Sequence, residues 1–193
     1  MSGVRLAELV SWMDETLEAG AYRDHGPNGL QVEGAARVER LASAVSVSLE
    51  VIERAAADGA QALLVHHGLF WDGQGQVVGM LERRRLEALF AADLSLIAYH
   101  LPLDGHPALG NNALLADLLD LEERAPFAEH GGRLLGVHGT LPQALPAADL
   151  ADALGAALGS TPLVLPGGDH TVRTVGIVSG GAARDIRAAA ALG

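Results

Sequence analysis

Residues 60–71 read Ala-Gln-Ala-Leu-Leu-Val-His66-His67-Gly68-Leu-Phe-Trp71, an apolar run that ends in two neighbouring histidines and a glycine. The run is long enough for one buried parallel strand. Side chains inside a strand alternate between faces, but at its end, where the backbone leaves the pleat, both imidazoles can diverge toward two nearby metals. The carboxyl end of a strand is the usual ligand position in open α/β sheets. This stretch is therefore a candidate metal site.

The residues before this stretch predict a β-α-β unit. Residues 41–47 have a strand pattern, Ser48 can cap a helix over residues 49–58, and Gly59 ends that helix before the histidine-bearing strand begins. Two strands joined through a helix are expected to be parallel, with a right-handed crossover.

A second histidine-bearing loop follows further along the chain. A helix over about residues 77–91 leads into a strand over residues 94–99, and the loop after it contains His100 and Asp104. Right-handed crossovers place the carboxyl ends of parallel strands at the same edge of the sheet. We therefore expect this loop to meet the one that carries His66 and His67.

The remaining patterns complete an α/β chain. They predict helices over residues 4–18 and 149–158, and another that Asn111 or Asn112 caps and that runs to about residue 121. They also predict strands over residues 30–32, 134–141, 161–165 and 173–178, and a loop over residues 129–133. A final helix is expected after the turn Ser179-Gly180-Gly181. That turn could also cradle a phosphate, although a tight strand-to-helix connection is the simpler interpretation.

Two segments of the chain resemble each other. Residues 46–59 align without gaps with residues 180–193, and each segment follows a predicted strand and ends at a glycine. Chance similarity between alanine-rich helices is the alternative. The sequence pattern changes from Glu123, which divides the chain into residues 1–122 and 123–193. Because the second copy stops where the first continues into the histidine strand, we expect a truncated or unusually short second lobe.

Composition excludes several classes of function. The chain has no cysteine and no lysine, which rules out thiolate ligands, Schiff-base catalysis and a P-loop. A formal net charge of −11 argues against nucleic-acid binding, and Arg83, Arg84 and Arg85 fit a solvated helix face. No membrane-length apolar run or signal-like amino terminus is present. We expect a cytoplasmic protein with no membrane partner.

The candidate site combines nitrogen and oxygen donors. His66, His67 and His100 with Asp104 form a set that suits Zn, Mn, Fe or Ni. The isolated histidines are expected to have structural roles: His25, His130, His138 and His170. Ser179 lacks the first glycine of a G-x-S-x-G elbow, so a serine hydrolase is not supported.

Four motifs occur in a characteristic order: Asn28-Gly-Leu-Gln-Val32, residues 66–71, His100-x-x-x-Asp104 with Gly110-Asn-Asn112, and Gly176-Ile-Val-Ser-Gly-Gly181. On these motifs the chain resembles the GTP cyclohydrolase 1 type 2 homologue family, whose members are also described as NGG-interacting-factor-like dinuclear metal-centre proteins. The resemblance covers nearly the whole chain. The double histidine and His-x-x-x-Asp carry most of this specificity.

The resemblance implies a fold of two related α/β lobes with mixed, largely parallel sheets, a ring-shaped homohexamer assembled from dimers, and two divalent metal ions. By position, His66, His67 and Asp104 correspond to metal ligands, and His100 to a site residue beside them. The family's other ligands, in a His-x-x-x-Glu motif near the carboxyl terminus, have no counterpart within the 193 residues. This departure agrees with the expected truncation, and three ligands cannot saturate two ions.

The resemblance also implies a reaction class. We expect a metal-dependent hydrolase, in which metal-activated water attacks an electrophilic carbon of a small nucleotide-like substrate and His100 shuttles the proton. The alternative is a non-catalytic, metal-stabilised ring that serves as a scaffold or binds proteins. A ring that binds nucleic acid is a third hypothesis, which the negative charge disfavours.

Overall fold

The computed structural model of the protein describes residues 3–75, 77–165, 167 and 171–192. The chain forms two compact units, Met1–Leu103 and Asp104–Gly193. The predicted lobes of residues 1–122 and 123–193 are divided later in the chain than these units, and their relation to each other stays a prediction.

The first unit alternates strands and helices, as the sequence predicts. Its elements are β1 (Val4–Arg5), α1 (Leu6–Thr16), β2 (Gly29–Val32), β3 (Arg37–Val38), β4 (Leu41–Ser46), α2 (Leu49–Ala57), β5 (Ala62–His67), α3 (Met80–Ala91) and β6 (Ser95–Ala98). The Ser48 hydroxyl caps α2 by accepting a hydrogen bond from the Val51 backbone N–H, at 3.1 Å.

One four-stranded sheet organises this unit, in the order β2-β6-β5-β4. Strands β4, β5 and β6 are parallel, and β2 runs antiparallel to β6. The register pairs Ser46 with His67 and Val65 with Ala98, so the carboxyl ends of the three parallel strands lie side by side. The α/β class with mixed sheets is confirmed.

Both faces of this sheet are covered, which explains why β5 is apolar at successive positions. Leu63 and Val65 pack on one face with Ile52 of α2 and Leu89 of α3. On the opposite face, apolar residues of α1 pack against Ala62, Ile97 and Tyr99, all three fully buried. The histidines therefore extend from a strand that two cores hold in place.

Shortening a side chain of this core should destabilise the first unit. Leu63 is 1% exposed, and we expect Leu63→Ala to lower the free energy of unfolding by about 2–5 kcal/mol, through lost burial and the cavity left behind. Denaturant unfolding measures this loss. Leu41→Ala is the control, since Leu41 on β4 is 40% exposed and its truncation should cost at most about 0.5 kcal/mol. Equal losses in the two variants would contradict this packing.

The second unit is built on an antiparallel sheet. After α4 (Leu101–Gly105), which contains the division between the units, come α5 (Asn111–Leu118), β7 (Glu122–His130), β8 (Arg133–Pro146), α6 (Ala147–Leu158), β9 (Thr171–Ile177) and α7 (Ile186–Ala190). Their sheet has the order β7-β8-β9, and both pairings are antiparallel. Within the described residues, parallel strands thus belong to the first unit, whereas largely parallel sheets were expected in both lobes.

Two predicted segments of this unit differ from the structure. The predicted loop over residues 129–133 is a tight hairpin, in which only Gly131 and Gly132 separate β7 from β8; both have positive φ, a conformation that glycine adopts without steric cost. Residues 161–165 form no strand, although their apolar pattern predicted one. The turn residues Pro166 and Gly168 lie outside the described ranges.

Within the described ranges, every helix is too short or too polar to cross a membrane.

Candidate metal centre

Three histidines meet at the carboxyl ends of the parallel strands. His66 and His67 are the last two residues of β5, and His100 lies just beyond β6. One ring nitrogen from each lies within 4.8 Å of the others. The ring centroids of His66 and His67 are 4.5 Å apart, and that of His100 is 4.9 and 5.6 Å from them. The predicted meeting of the two histidine-bearing loops is therefore present.

Each imidazole is held through its Nδ1 atom. His66 Nδ1 lies 3.1 Å from the Tyr99 carbonyl oxygen, His67 Nδ1 lies 2.8 Å from Ser46 Oγ, and His100 Nδ1 lies 2.7 Å from Asp24 Oδ1. A carbonyl or a carboxylate can only accept, so His66 and His100 donate through Nδ1 and keep the lone pair on Nε2. This arrangement of outer partners is typical of metal-binding histidines.

The carboxylate of Asp24, beside the histidine cluster, accepts four hydrogen bonds. Its side chain is 2% exposed, and it accepts hydrogen bonds from His100 Nδ1 and the backbone N–H of His25 on Oδ1, and from Asn28 Nδ2 and the backbone N–H of Leu101 on Oδ2. Burial alone would raise the pKa of Asp24, but these hydrogen bonds outweigh it and lower the pKa to about 2. Asp24 is therefore ionised and fixes the Nδ1–H tautomer of His100.

Sequence reasoning missed Asp24. The residue lies in a turn-rich stretch before the Asn28 motif, more than seventy residues from His100. Asn28, which was singled out only through the resemblance, also accepts a hydrogen bond from the His100 backbone N–H, at 2.9 Å. The spacing of Asp24 and Asn28, four residues apart in a turn, was the available signal.

Trp71 borders the histidine cluster. Its ring centroid lies 5.1 Å from that of His100, edge to face, and 5.9 Å from that of His67, while its Nε1–H donates to the Gly68 carbonyl at 3.1 Å. The indole therefore gives the cluster an apolar side and remains fixed by its own hydrogen bond.

A glycine beside this site permits a close backbone approach. A Cβ on Gly26 would lie 2.3 Å from the Phe70 carbonyl oxygen, so we expect Gly26→Ala to push the loop of Phe70 and Trp71 away. The expected cost is about 1–3 kcal/mol of stability, with a shifted Trp71 fluorescence in a Trp12→Phe background. Gly20→Ala is the control, because nothing lies within 4 Å of its Cβ position. A Gly26→Ala spectrum and stability equal to the control's would contradict this contact.

Asp104 belongs to the second unit. Its side chain accepts hydrogen bonds from Asn111 Nδ2 at 2.7 Å and from Ser179 Oγ at 2.8 Å, and the residue is 4% exposed. The prediction that Asn111 or Asn112 caps α5 is wrong, since Gly110 is the capping residue. Asn112 instead donates to the Leu135 carbonyl and accepts from the Ser179 backbone N–H. That Asp104 ligates a metal stays a prediction.

The other histidines have varied surroundings. His130 Nε2 lies 2.8 Å from Asp185 Oδ2, and His138 packs edge to face against Phe127 with centroids 5.9 Å apart. His25, which was expected to be structural, has its ring 6.3 Å from that of His100 and so lies at the margin of the site. His170 lies outside the described residues.

The donor set fits a divalent transition metal. Imidazole nitrogens suit Zn, Fe, Ni and Cu, and the cluster offers three of them within 4.8 Å of one another. The geometry thus defines a class: an α/β protein with a histidine-rich candidate metal centre at the carboxyl edge of its parallel strands.

Comparison with known proteins places the chain more narrowly. The family model described as Duf34/NIF3 (NGG1p interacting factor 3) matches residues 4–193, and the chain belongs to this family. The resemblance that the motifs indicated is confirmed.

Individual proteins with similar sequences or structures support this family assignment. The GTP cyclohydrolase 1 type 2 homolog of Deinococcus radiodurans is 44% identical over 186 residues, which cover 96% of this chain and 70% of that protein. The solved structure of protein ybgI, described as of unknown function, has a TM-score of 0.91 and 38% identity, covering 98% of this chain and 75% of the other. TTHA1606 from Thermus thermophilus has a TM-score of 0.86 and 35% identity, covering 96% and 74%.

Proposed function

We propose that this protein is a metal-dependent hydrolase whose centre is the cluster of His66, His67 and His100. The observation that carries the proposal is the convergence of three imidazole nitrogens within 4.8 Å, with at least two of the rings held in the tautomer that places the lone pair on Nε2. His66 and His67 would hold a divalent ion such as Zn, Mn, Fe or Ni. When bound, the ion would supply Lewis acidity.

His100 has the features of a general base. The ionised Asp24 accepts its Nδ1–H, which orients the ring and stabilises the positive charge that the ring acquires when Nε2 takes a proton. We therefore propose that His100 removes a proton from the attacking water and returns it to the leaving group. Its ring lies close enough to those of His66 and His67 for such a transfer at a shared site.

The family motivates the proposed substrate and second ion. The relatives' name, GTP cyclohydrolase 1 type 2 homolog, motivates a nucleotide-like substrate, and the motif position of Asp104 motivates a role as ligand to a second ion. We propose both for this chain, in a cytoplasmic protein.

Turnover of GTP tests the proposed reaction. We expect the native chain, loaded in turn with Zn²⁺, Mn²⁺, Fe²⁺ and Ni²⁺, to consume GTP with at least one of them and to stop when a chelator removes the metal. His100→Ala should lose roughly 10²–10⁴-fold in turnover, the usual contribution of a positioned general base. Turnover that persists after chelation, or in His100→Ala, would contradict the mechanism.

A second candidate is a non-catalytic, metal-stabilised ring, a homohexamer that acts as a scaffold or binds proteins. The observation in its favour is the edge strand β4, where Val45 is 69% exposed and where, among the described residues, only β5 pairs with it. Chelation would then dissociate the oligomer in size-exclusion chromatography, and no metal would support GTP turnover.

A further inference from the structure

A cavity of about 280 Å³ opens beside the histidine cluster within the first unit. Most of the residues that line it are apolar: Leu69, Phe70, Trp71, Val77, Val78 and Leu86. Gln74 and Glu82 supply the polar groups. Its volume is near the lower end of the roughly 300–1,000 Å³ typical of small-molecule sites, and an apolar lining with few polar groups is their usual composition.

Trp71 joins this cavity to the candidate metal centre. The indole lines the cavity, and its ring centroid lies 5.1 Å from that of His100 and 5.9 Å from that of His67. A molecule in contact with Trp71 is therefore separated from the histidine cluster only by the indole ring. Two aromatic side chains in the wall, Phe70 and Trp71, favour a flat aromatic occupant, because stacked and edge-to-face ring contacts add to simple burial.

Glu82 supplies the chemical preference. Its carboxylate, in the first turn of α3, lies over Gly79, where an added Cβ would stand 2.8 Å from Oε2. An ionised carboxylate only accepts hydrogen bonds, so a ligand at this wall has to offer N–H or O–H donors. A phosphate or carboxylate in this cavity would instead be repelled by Glu82.

We propose that this cavity binds the planar base of the substrate, a nitrogen heterocycle whose exocyclic amino group donates to Glu82 while its ring packs against Trp71. This inference rests on the proposed function, since it names the part of the substrate that binds in the cavity beside the histidine cluster. An aliphatic group of the same size would fill the cavity but leave the Glu82 carboxylate without its donor, at a cost in affinity.

Calorimetric titration of the full chain tests the proposal with two probes that differ by one amino group, 2-aminopurine riboside and purine riboside. Glu82→Gln removes the charge but keeps the length of the side chain and its ability to contact the start of α3. Gly79→Ala keeps the carboxylate but displaces it, at little cost to folding, because the clashing atom ends a flexible side chain. Glu87→Gln, on the same helix in an exposed pair with Arg83, is the matched control.

The native chain and Glu87→Gln should bind 2-aminopurine riboside more tightly than purine riboside. Both Glu82→Gln and Gly79→Ala should weaken the 2-aminopurine complex roughly tenfold and leave the purine complex within about twofold. No saturable binding to the native chain, or equal weakening of both probes, would overturn the proposal. The metal content, measured on the same samples, should be the same in all variants. A native chain that binds the probe but no metal would refute the proposed hydrolase function, but not the binding of a planar base in this cavity.

Discussion

His66→Ala is expected to lose bound divalent metal, whereas His138→Ala keeps it at the native stoichiometry. The reason is that His66 lies in the cluster whose ring nitrogens are within 4.8 Å of one another, and its Nδ1 contact with the Tyr99 carbonyl holds the ring in place. His138 instead packs against Phe127 in the second unit. Metal content after dialysis against each metal, measured by inductively coupled plasma mass spectrometry, reports the result.

His100→Ala separates a ligand from a general base. If His100 transfers protons, as proposed, its variant retains the native metal content while turnover falls. Loss of metal from His100→Ala would make it a third ligand, which would refute its assigned role and leave the metal site intact. Native metal content in His66→Ala would refute the metal site itself.

Asp24→Ala is expected to cost about 3–5 kcal/mol of stability in the metal-free protein, because it removes the acceptor of four hydrogen bonds from a buried position. It should leave the metal affinity near that of the native chain, because its partner His100 is proposed to transfer protons and not to hold the metal. Denaturant unfolding after chelation measures the first effect, and competition with a chromogenic chelator measures the second.

Asp24→Asn and Asp58→Asn complete this experiment. Asn at position 24 keeps one acceptor but turns an amide N–H₂ toward backbone donors, so it should recover only part of the stability. Asp58 forms an exposed pair with Arg54, and its replacement should cost at most about 1 kcal/mol. An unfolding free energy of Asp24→Ala within about 1 kcal/mol of native would contradict the described hydrogen-bond network.

The first unit was predictable because its signals are local and agree with each other. Ser48 and Gly59 mark the two ends of the crossover helix between the apolar strands β4 and β5. The parallel arrangement of β5 and β6 then brings their carboxyl ends together. Asp24 was not predictable in this way. Its function depends on a contact with His100 that no periodicity encodes, because loop residues are placed by tertiary structure.

The second unit shows the opposite case. Strand β7 contains Glu122, Pro126 and Glu129 and lacks a clean alternation of apolar residues, so no strand was predicted there and its end was assigned to the loop over residues 129–133. Pairing with β8 supplies the strand conformation, and Gly131 and Gly132 close the hairpin. The apolar residues 161–165 form no strand, because a run of that length does not specify pairing without a neighbouring edge.

X-ray absorption at the metal edge of the zinc-loaded native chain tests the metal centre most directly. The account predicts at least two imidazole nitrogens at about 2.0–2.1 Å from zinc, with their outer-ring scattering lost in the His66→Ala, His67→Ala double variant. A spectrum with oxygen ligands alone, or one that the double substitution leaves unchanged, would contradict it.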